Sequence, residues 1–271
     1  MIDLGPALEV VSATHPGMVR SHNEDSIAIE PQIGLAVLAD GMGGYNAGEV
    51  ASGIAVEIIK VEMKKALAAM DSSGLDGTTA ERLLAEHGAR ANAAIFRAAQ
   101  SHPQYSGMGT TLVVALWHDN RVSVGHIGDS RLYRLRRGAL EQMTRDHSLL
   151  QEQIDSGMIT KEQARHSQNK NLVTRAVGID PEVETEIHTY AVETGDIYLL
   201  CTDGLSDMVT DEDIQTTLTS LQANLPLAAE QLVQQANDNG GRDNVSVILV
   251  RVARDYSARA GLIGKVKGWF K

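Results

Sequence analysis

The order of the strand-like and helix-like segments constrains the fold more than any other feature of the sequence. Apolar alternation or short apolar runs predict strands at 8–14, 26–30, 34–39, 110–117, 121–126, 130–136, 182–190, 196–201 and 244–252. Helical patterns occur as two adjacent pairs, 47–69 with 79–101 and 211–221 with 225–239. Paired helices favour antiparallel sheets over a βαβ wind. We predict an α+β fold, a four-layer αββα sandwich with two central antiparallel β-sheets flanked by helix pairs.

The sequence also predicts that the chain consists of a domain, an insertion within it and a tail. Its 271 residues, 43% of them hydrophobic, suffice for one large core, and we predict one domain over 1–254. The polar stretch 147–171 is either a connecting excursion or a mobile flap over a site. In the tail, 255–271, basic residues alternate with apolar ones such as Trp269. A packed terminal helix and weak docking on a membrane surface or partner both remain open.

Charge and cysteine content exclude several classes of function. The net charge of −11 disfavours a nucleic-acid partner and suits the binding of cations. A single cysteine, Cys201, excludes an internal disulfide or a multi-cysteine zinc site and fits a reducing compartment. No segment has the pattern of a signal peptide or the roughly 20 apolar residues of a membrane span. We therefore expect a cytoplasmic protein.

Acidic residues recur at strand ends and tight turns, beside glycine or asparagine. They are Glu24 and Asp25 in NEDS, Asp40 in LADGMGG, Asp129 in HIGDSR, Asp203 in LLCTDGLSD and Asp243 in GGRDNVSV. A single Asp-Gly is most simply a turn. However, Asp40 and Asp203 follow apolar runs, where desolvation of a lone carboxylate is costly. The nearby arginines, Arg20, Arg131 and Arg242, are too few to pair with all of these carboxylates, so cations are the simplest explanation.

The donor types indicate which cations these are. Oxygen ligands without a histidine or cysteine cluster favour Mg²⁺ or Mn²⁺ over zinc. Because Gly41 has no side chain, its carbonyl can approach a metal closely. Two such ions about 3.5–4 Å apart would share one carboxylate and hold a bridging water, the nucleophile of metal-assisted phosphate hydrolysis.

A series of motifs resembles a known family at this point. RSHNEDS, LADGMGGYNAGEVAS, GMGTTL, GHIGDSRLYRL, TRDHSLL, NLVTRAVG, LLCTDGLSD and RDNVSVILV follow one another in this order. Together they resemble the metal-dependent serine/threonine protein phosphatases of type 2C (the PPM family), in their compact bacterial form, over about residues 8–252. The resemblance implies hydrolysis of phosphoserine and phosphothreonine in proteins by direct attack of the metal-bridging water. It also implies a partner serine/threonine kinase, and we expect a monomer.

The same resemblance implies a role for each candidate residue. Asp40 resembles the carboxylate that bridges two central metals, with the Gly41 carbonyl on one metal and Asp203 and Asp243 on the other. Glu24 and Asp25 resemble the acidic pair that binds metal waters, and Asp129 with Asp203 resembles a third, weaker site. Arg20 resembles the arginine that holds the substrate phosphate, a task that suits its planar, permanently charged guanidinium.

The sequence departs from the family at the residue after the metal Asp-Gly. Eukaryotic members often carry a histidine there, thought to protonate the leaving group, whereas this chain has Met42. A metal-bound water, His22, Tyr45 and His147 remain alternative proton donors.

Other phosphatase chemistries fit the sequence less well than the metal-dependent one. A cysteine phosphatase requires an arginine six positions after Cys201, where this chain has Asp207, so we predict that Cys201 is a buried strand residue. An aspartate nucleophile is also disfavoured, because no second aspartate lies two residues from Asp40. A phosphopeptide reader without turnover and a switch phosphatase dedicated to one regulator remain alternatives.

Overall fold

The computed structural model describes residues 3–44, 47–70, 75–160, 163–164, 167 and 172–257. Its strands are β1 Leu8–His15, β2 Asp25–Glu30, β3 Leu35–Met42, β4 Gly109–Thr110, β5 Leu112–His118, β6 Arg121–Ile127, β7 Arg131–Arg136, β8 Ala139–Gln142, β9 Glu186–Ala191, β10 Ile197–Cys201 and β11 Val245–Val252. Its helices are α1 Ala47–Ala68, α2 Gly77–Ser101, α3 Leu149–Asp155, α4 Asp203–Ser206, α5 Asp211–Ser220 and α6 Leu225–Asp238.

The strands form two antiparallel sheets that pack face to face. One sheet has the order β1-β11-β10-β7-β8, and the other has the order β2-β3-β5-β6-β9 with β4 paired to β3. Within each sheet the pairings are antiparallel. Strands therefore begin and end alternately at each end of the sandwich, so residues far apart in sequence meet there.

Three hydrophobic clusters hold four layers together. Ile59 and Leu84 belong to a cluster between the helices α1 and α2 and the second sheet. Trp117 and Tyr198 pack edge to face between the two sheets, with ring centroids 5.6 Å apart. Leu232 belongs to the third cluster, which joins α5 and α6 to the first sheet. The layer order is helix pair, sheet, sheet, helix pair, and the predicted fold class is confirmed.

The structure differs from the predicted elements at several places. The predicted strand 110–117 is interrupted at Thr111, whose side chain and backbone bond to Asp40. The predicted strand 182–190 begins only at Glu186. β8 was not predicted because it has only four residues, of which half are polar. None of the helices in the described part combines the length and apolar character that a bilayer span requires.

Candidate active site

Two carboxylates oppose each other across the strands β2 and β3. Asp25 begins β2 and is the direct register partner of Asp40 in β3. Opposed side chains of an antiparallel pair have Cβ atoms about 4.5–5.5 Å apart, where like charges are destabilising. The Oδ2 atom of Asp25 accepts a hydrogen bond from Thr202 Oγ1 at 3.1 Å. Its Oδ1 atom is buried and has no hydrogen-bond partner among the described residues. An unpartnered buried oxygen and an opposed carboxylate fit a cation.

The first sheet brings two further aspartates to the same end of the sandwich. β10 ends at Cys201 and is followed by Asp203 at the start of α4, while Asp243 precedes β11. Because β10 and β11 are antiparallel neighbours, the end of one strand lies beside the beginning of the other. A Cβ atom at Gly204 would lie 2.0 Å from the carbonyl oxygen of Asn244. Glycine therefore allows the Asp203 and Asp243 segments to pack together.

Thr111, which has no predicted role, joins Asp129 to Asp40. Asp129 is 8% exposed and lies between β6 and β7. Thr111 Oγ1 accepts a hydrogen bond from the Asp40 backbone N–H at 3.0 Å. The same oxygen lies 2.7 Å from the hydroxyl of Ser130, the residue after Asp129. The TT pair in GMGTTL was the sequence signal, but its role depends on a contact between distant segments.

Packing requires a glycine at position 41, in addition to the predicted role of its carbonyl. A Cβ atom there would lie 2.1 Å from the carbonyl oxygen of Gly48 in α1. The Gly41 backbone N–H donates to the Glu24 carbonyl at 3.2 Å. A Cβ at Gly48 would in turn lie 2.7 Å from Glu24 Oε2. The two glycines bring the first turn of α1 and the Glu24 carboxylate against the end of β3.

The electrostatics of the cluster show that its carboxylates interact closely. Burial, followed by the charges of neighbouring carboxylates, raises the pKa of Asp40 and Asp203 well above the usual range. Burial is also the main cause that raises the pKa of Asp25 to about 6 and that of Asp129 to about 7. In each case the site disfavours the charged carboxylate, which a bound cation would stabilise.

Arg20 lies at the rim of this cluster. Its Nη2 donates to Asp243 Oδ2 at 2.7 Å, while its side chain is 54% exposed. Burial raises the pKa of Glu24, and the charge of Arg20 opposes this shift. Arg131 does not join the cluster, because its Nε and Nη2 both donate to Asp146. Arg20 thus remains accessible to an anion that approaches from solvent.

Asn244 anchors the segment that carries Arg20 and Glu24. Its Oδ1 accepts a hydrogen bond from the Glu24 backbone N–H at 2.8 Å. Its Nδ2 donates to the carbonyl oxygens of Pro16 and His22, at 3.0 and 2.8 Å. The RDN motif contains this residue, but no local pattern indicates its role, since all three contacts join residues more than 200 positions apart.

The candidate proton donors have different surroundings. His22 is exposed near the cluster rim, while His147 is 5% exposed and its Nε2 lies 3.1 Å from Glu186 Oε2. Tyr45 lies outside the described residues. Cys201 is buried at the end of β10, and burial raises the pKa of its thiol to about 12. A thiol with such a pKa is not a nucleophile at neutral pH, which agrees with its predicted place in a strand.

Comparisons with known proteins agree with this geometry. The sequence profile of the family described as "Protein phosphatase 2C" matches residues 18–240. The serine/threonine phosphatase stp of Listeria monocytogenes is 36% identical over 240 residues, which are 88% of this chain and 93% of that protein. PstP of Mycobacterium tuberculosis is 40% identical over 252 residues, 92% of this chain and 46% of that longer protein.

Solved structures show the same fold. A crystal structure of the PstP catalytic domain in complex with 2 manganese ions has 38% identity and a TM-score of 0.78. The match covers 91% of this chain and 99% of that one. The chain therefore belongs to the protein phosphatase 2C family. The predictions of a bacterial type of serine/threonine protein phosphatase and of a metal-dependent enzyme are confirmed.

Proposed function

We propose that this chain removes phosphate from phosphoserine and phosphothreonine side chains of proteins, with divalent cations held in the carboxylate cluster. The observation that carries the proposal is the opposed pair Asp25 and Asp40, with its unpartnered buried oxygen. Like charges placed directly across a sheet are destabilising, and a bound positive charge compensates for this repulsion.

Each residue of the cluster has a proposed task toward the cations. Asp40 would bridge two central cations, with the Gly41 carbonyl on one and Asp203 and Asp243 on the other. Asp25 and Glu24 would hold their waters, and Asp129 with Asp203 would hold a third, weaker cation. Either Mn²⁺ or Mg²⁺ suits these oxygen donors. When bound, the cations lower the pKa of water and stabilise negative charge on the phosphate.

Arg20 would bind the substrate phosphate at the entrance. Its guanidinium is more than half exposed and already contacts Asp243, so a phosphate next to the cluster lies within its reach. Two parallel N–H donors orient a phosphate better than a single ammonium group does. The donor of the proton to the leaving alkoxide stays unassigned among a water, His22 and Tyr45. The hydrogen bonds that occupy both ring nitrogens of His147 argue against it in that role.

The experiment compares Asp40→Asn and Asp203→Asn with wild type. We expect both variants to lose Mn²⁺-dependent release of phosphate from a phosphothreonine peptide. Wild-type turnover in either variant would contradict the proposed mechanism. Retained peptide binding without turnover in the wild-type chain would instead identify a phosphopeptide reader.

A panel of phosphoproteins tests the breadth of substrates. We propose a monomeric cytoplasmic enzyme that opposes a partner serine/threonine kinase. Comparable rates on several kinase-phosphorylated proteins are expected, whereas activity on one protein alone would identify a dedicated switch phosphatase.

The predicted division of the chain leads to a separate test. Residues 258–271 and several flap residues of 147–171 lie outside the described residues. We propose that the basic amphipathic tail adds weak affinity for an anionic membrane surface or partner beside the 1–254 domain. Equal flotation with anionic liposomes of the full chain and of a chain truncated at Ala258 would contradict this.

A further inference from the structure

His147 and Gly128 form a closed pair of hydrogen bonds next to Asp129. The backbone N–H of His147 donates to the Gly128 carbonyl at 2.9 Å. The backbone N–H of Gly128 donates to Nδ1 of the His147 ring at 3.1 Å. Gly128 has a φ of +101°, and a Cβ there would lie 2.7 Å from Thr111 Cγ2. The turn that carries Asp129 is therefore held between Thr111 on one side and the His147 ring on the other.

The opposite side of the ring is fixed as well. Nε2 of His147 lies 3.1 Å from Glu186 Oε2, and the other Glu186 oxygen lies 2.9 Å from His188 Nε2. The His147 ring also stacks on His126, with centroids 4.7 Å apart and planes 12° from parallel. His126 in turn bonds through Nε2 to the Arg145 carbonyl at 2.8 Å. Rotation of the His147 ring would break several of these contacts together.

The Gly128 N–H determines which ring nitrogen carries the proton. Nδ1 accepts from this backbone donor, so it has a free lone pair and the proton of the neutral ring lies on Nε2. Nε2–H then donates to Glu186 at 3.1 Å. Arg175 Nη1 lies farther from Nε2, at 3.4 Å, and this ring nitrogen does not accept from it. Burial lowers the pKa of His147, which keeps the ring neutral.

The same proton assignment argues against a cation at this place. Donor atoms of His126, His147 and Glu186 lie within 4.8 Å of one another, a spacing from which a metal site could be inferred. A cation on His147 Nε2 would need that lone pair, and the ring proton would move to Nδ1, against the Gly128 N–H. The cluster is therefore a chain of hydrogen bonds that runs from β9 to the Asp129 turn.

His147 also joins this turn to the base of the predicted flap. The His147 carbonyl accepts a hydrogen bond from the Thr174 N–H at 2.8 Å. Two residues further along, the Leu149 N–H donates to the Leu172 carbonyl at 2.9 Å. These bonds connect the two ends of the segment that contains α3. His147 thus contacts the Asp129 turn through its ring and backbone N–H, and the base of the flap through its backbone carbonyl.

We propose that His147 is a positioning residue, whose Nδ1 holds the Gly128–Asp129 turn and thereby maintains the weakest cation site. This inference rests on the proposed role of Asp129 in that site. Residues that orient metal ligands commonly change metal affinity by about 10–100-fold when they are replaced. His147 contacts no ligand side chain directly in this arrangement, because it acts through the backbone of Gly128.

Two substitutions separate the hydrogen bond from the bulk of the ring. In His147→Asn the amide oxygen takes the place of Nδ1 and can accept from Gly128. In His147→Gln the amide takes the place of Nε2 and leaves the Gly128 N–H without an acceptor. Mn²⁺ binding to the full chain is measured by titration calorimetry and by electron paramagnetic resonance, together with hydrogen exchange of the Gly128 amide.

We expect His147→Gln to weaken the weakest Mn²⁺ site about tenfold and to speed exchange of the Gly128 amide by a similar factor, with the tighter sites within about twofold. His147→Asn should stay within about threefold of wild type on both measurements. Equal losses in the two variants would indicate a role of ring volume alone and overturn the proposal, as would wild-type behaviour of His147→Gln. If His147→Gln does not fold, His147→Leu replaces it, since leucine has the shape of asparagine without an acceptor.

A third variant distinguishes this proposal from the proposed function. Asp129→Asn should remove the weakest site. If it does so while His147→Gln binds Mn²⁺ like wild type, only the role of His147 is overturned. If Asp129→Asn binds as many ions as wild type, the assignment of Asp129 and the role of His147 are overturned together.

Discussion

At the scale of single residues, we expect Asp40 to have opposite effects on stability and on function. It opposes Asp25 across the sheet, and burial and four neighbouring carboxylates raise its pKa. Without a cation this side chain destabilises the folded protein, yet the proposed chemistry depends on it. Such conflicts between stability and activity are common at functional sites.

Asp40→Asn should therefore make the metal-free protein more stable and the enzyme inactive. Asparagine has the same shape without the charge, so we expect the free energy of unfolding in EDTA to rise by about 1–2 kcal/mol. Phosphopeptide hydrolysis with Mn²⁺ should fall at least about 100-fold. Thermal denaturation and phosphate release measure the two effects.

The exposed Asp180 offers the matched control for this prediction. Asp180→Asn removes an equal charge and should change neither the free energy of unfolding nor the rate of phosphopeptide hydrolysis. A loss of stability in Asp40→Asn would contradict the argument from charge repulsion.

The raised pKa of Asp129 predicts a specific dependence of stability on pH. Its pKa is about 7 in the folded protein, against an ordinary value of 3.8. Between these values the unfolded chain has lost a proton that the folded chain keeps, so this group's contribution to stability falls as pH rises from about 4 to about 7. Four histidines with lowered pKa act in the opposite direction, namely His87, His118, His126 and His147.

The difference between wild type and Asp129→Asn isolates the Asp129 contribution. The free energy of unfolding of the variant, relative to that of wild type, should increase from pH 4 to pH 7 and stay constant above pH 7. Urea denaturation in EDTA at several pH values measures this difference. A difference that is constant with pH, or that changes in the opposite direction, would contradict the raised pKa.

The residues that touch the proposed cations could be predicted from the sequence, whereas those that position them could not. Asp40 and Asp203 were recognisable because each follows an apolar run and precedes glycine. Asn244, Thr111 and His147 act through backbone groups that are distant in sequence. Their type and local pattern are the same as those of ordinary loop residues, so only the folded arrangement shows what they hold.

At the scale of elements, the contact between β3 and α1 depends on glycine. A side chain at Gly41 would meet the Gly48 carbonyl, whereas Gly53, farther along α1, has open space around it. Gly41→Ala should destabilise the protein by about 1–3 kcal/mol through overpacking. Gly53→Ala should stabilise it by about 0.5–1 kcal/mol, because alanine favours the helix. Chemical denaturation compares the two.

Loss of Mn²⁺ affinity should accompany the destabilisation in Gly41→Ala, since the shifted backbone is a proposed ligand. Gly53→Ala should bind Mn²⁺ like wild type. Similar changes in stability for the two variants would show that the close approach to α1 does not matter.

The elements themselves were predictable where the pattern was long. The helices α1 and α2 and the strands of both sheets follow clear apolar periods, and their bounds differ from the predicted ones by a few residues. The break at Thr111 and the short β8 escaped prediction, because each is stabilised by neighbours that the local sequence does not show. The class of fold could be inferred from the sequence, but the order in which the strands pair could not.

At the scale of the whole molecule, the cluster joins the two sheets at one end of the sandwich. Asp25 and Asp40 come from one sheet, and Asp203 and Asp243 flank strands of the other. Cations bound there would therefore link the sheets. Their effect on stability should be global rather than local.

Excess Mn²⁺ should raise the melting temperature of the whole domain in a single transition. At a concentration about 100 times the dissociation constant, ligand binding contributes roughly 2.7 kcal/mol. For a domain of this size that amounts to about 5–11 °C. Scanning calorimetry in EDTA and in Mn²⁺ measures the shift.

Asp203→Asn serves as the control for this shift and should show a much smaller rise. An equal melting temperature in EDTA and in Mn²⁺ would contradict a cation site that joins the sheets.

The pairing of β1 with β11 has a consequence for the synthesis of the protein. β11 lies between β1 and β10, and the segment before it carries Asp243 and Asn244. During translation β1 cannot pair with its neighbour until β11 has been synthesised. Contacts of such high sequence separation form late in folding. A ribosome-bound nascent chain that lacks β11 has neither a complete sheet nor a complete site. Newly made protein thus gains its activity only after the final strand has left the exit tunnel.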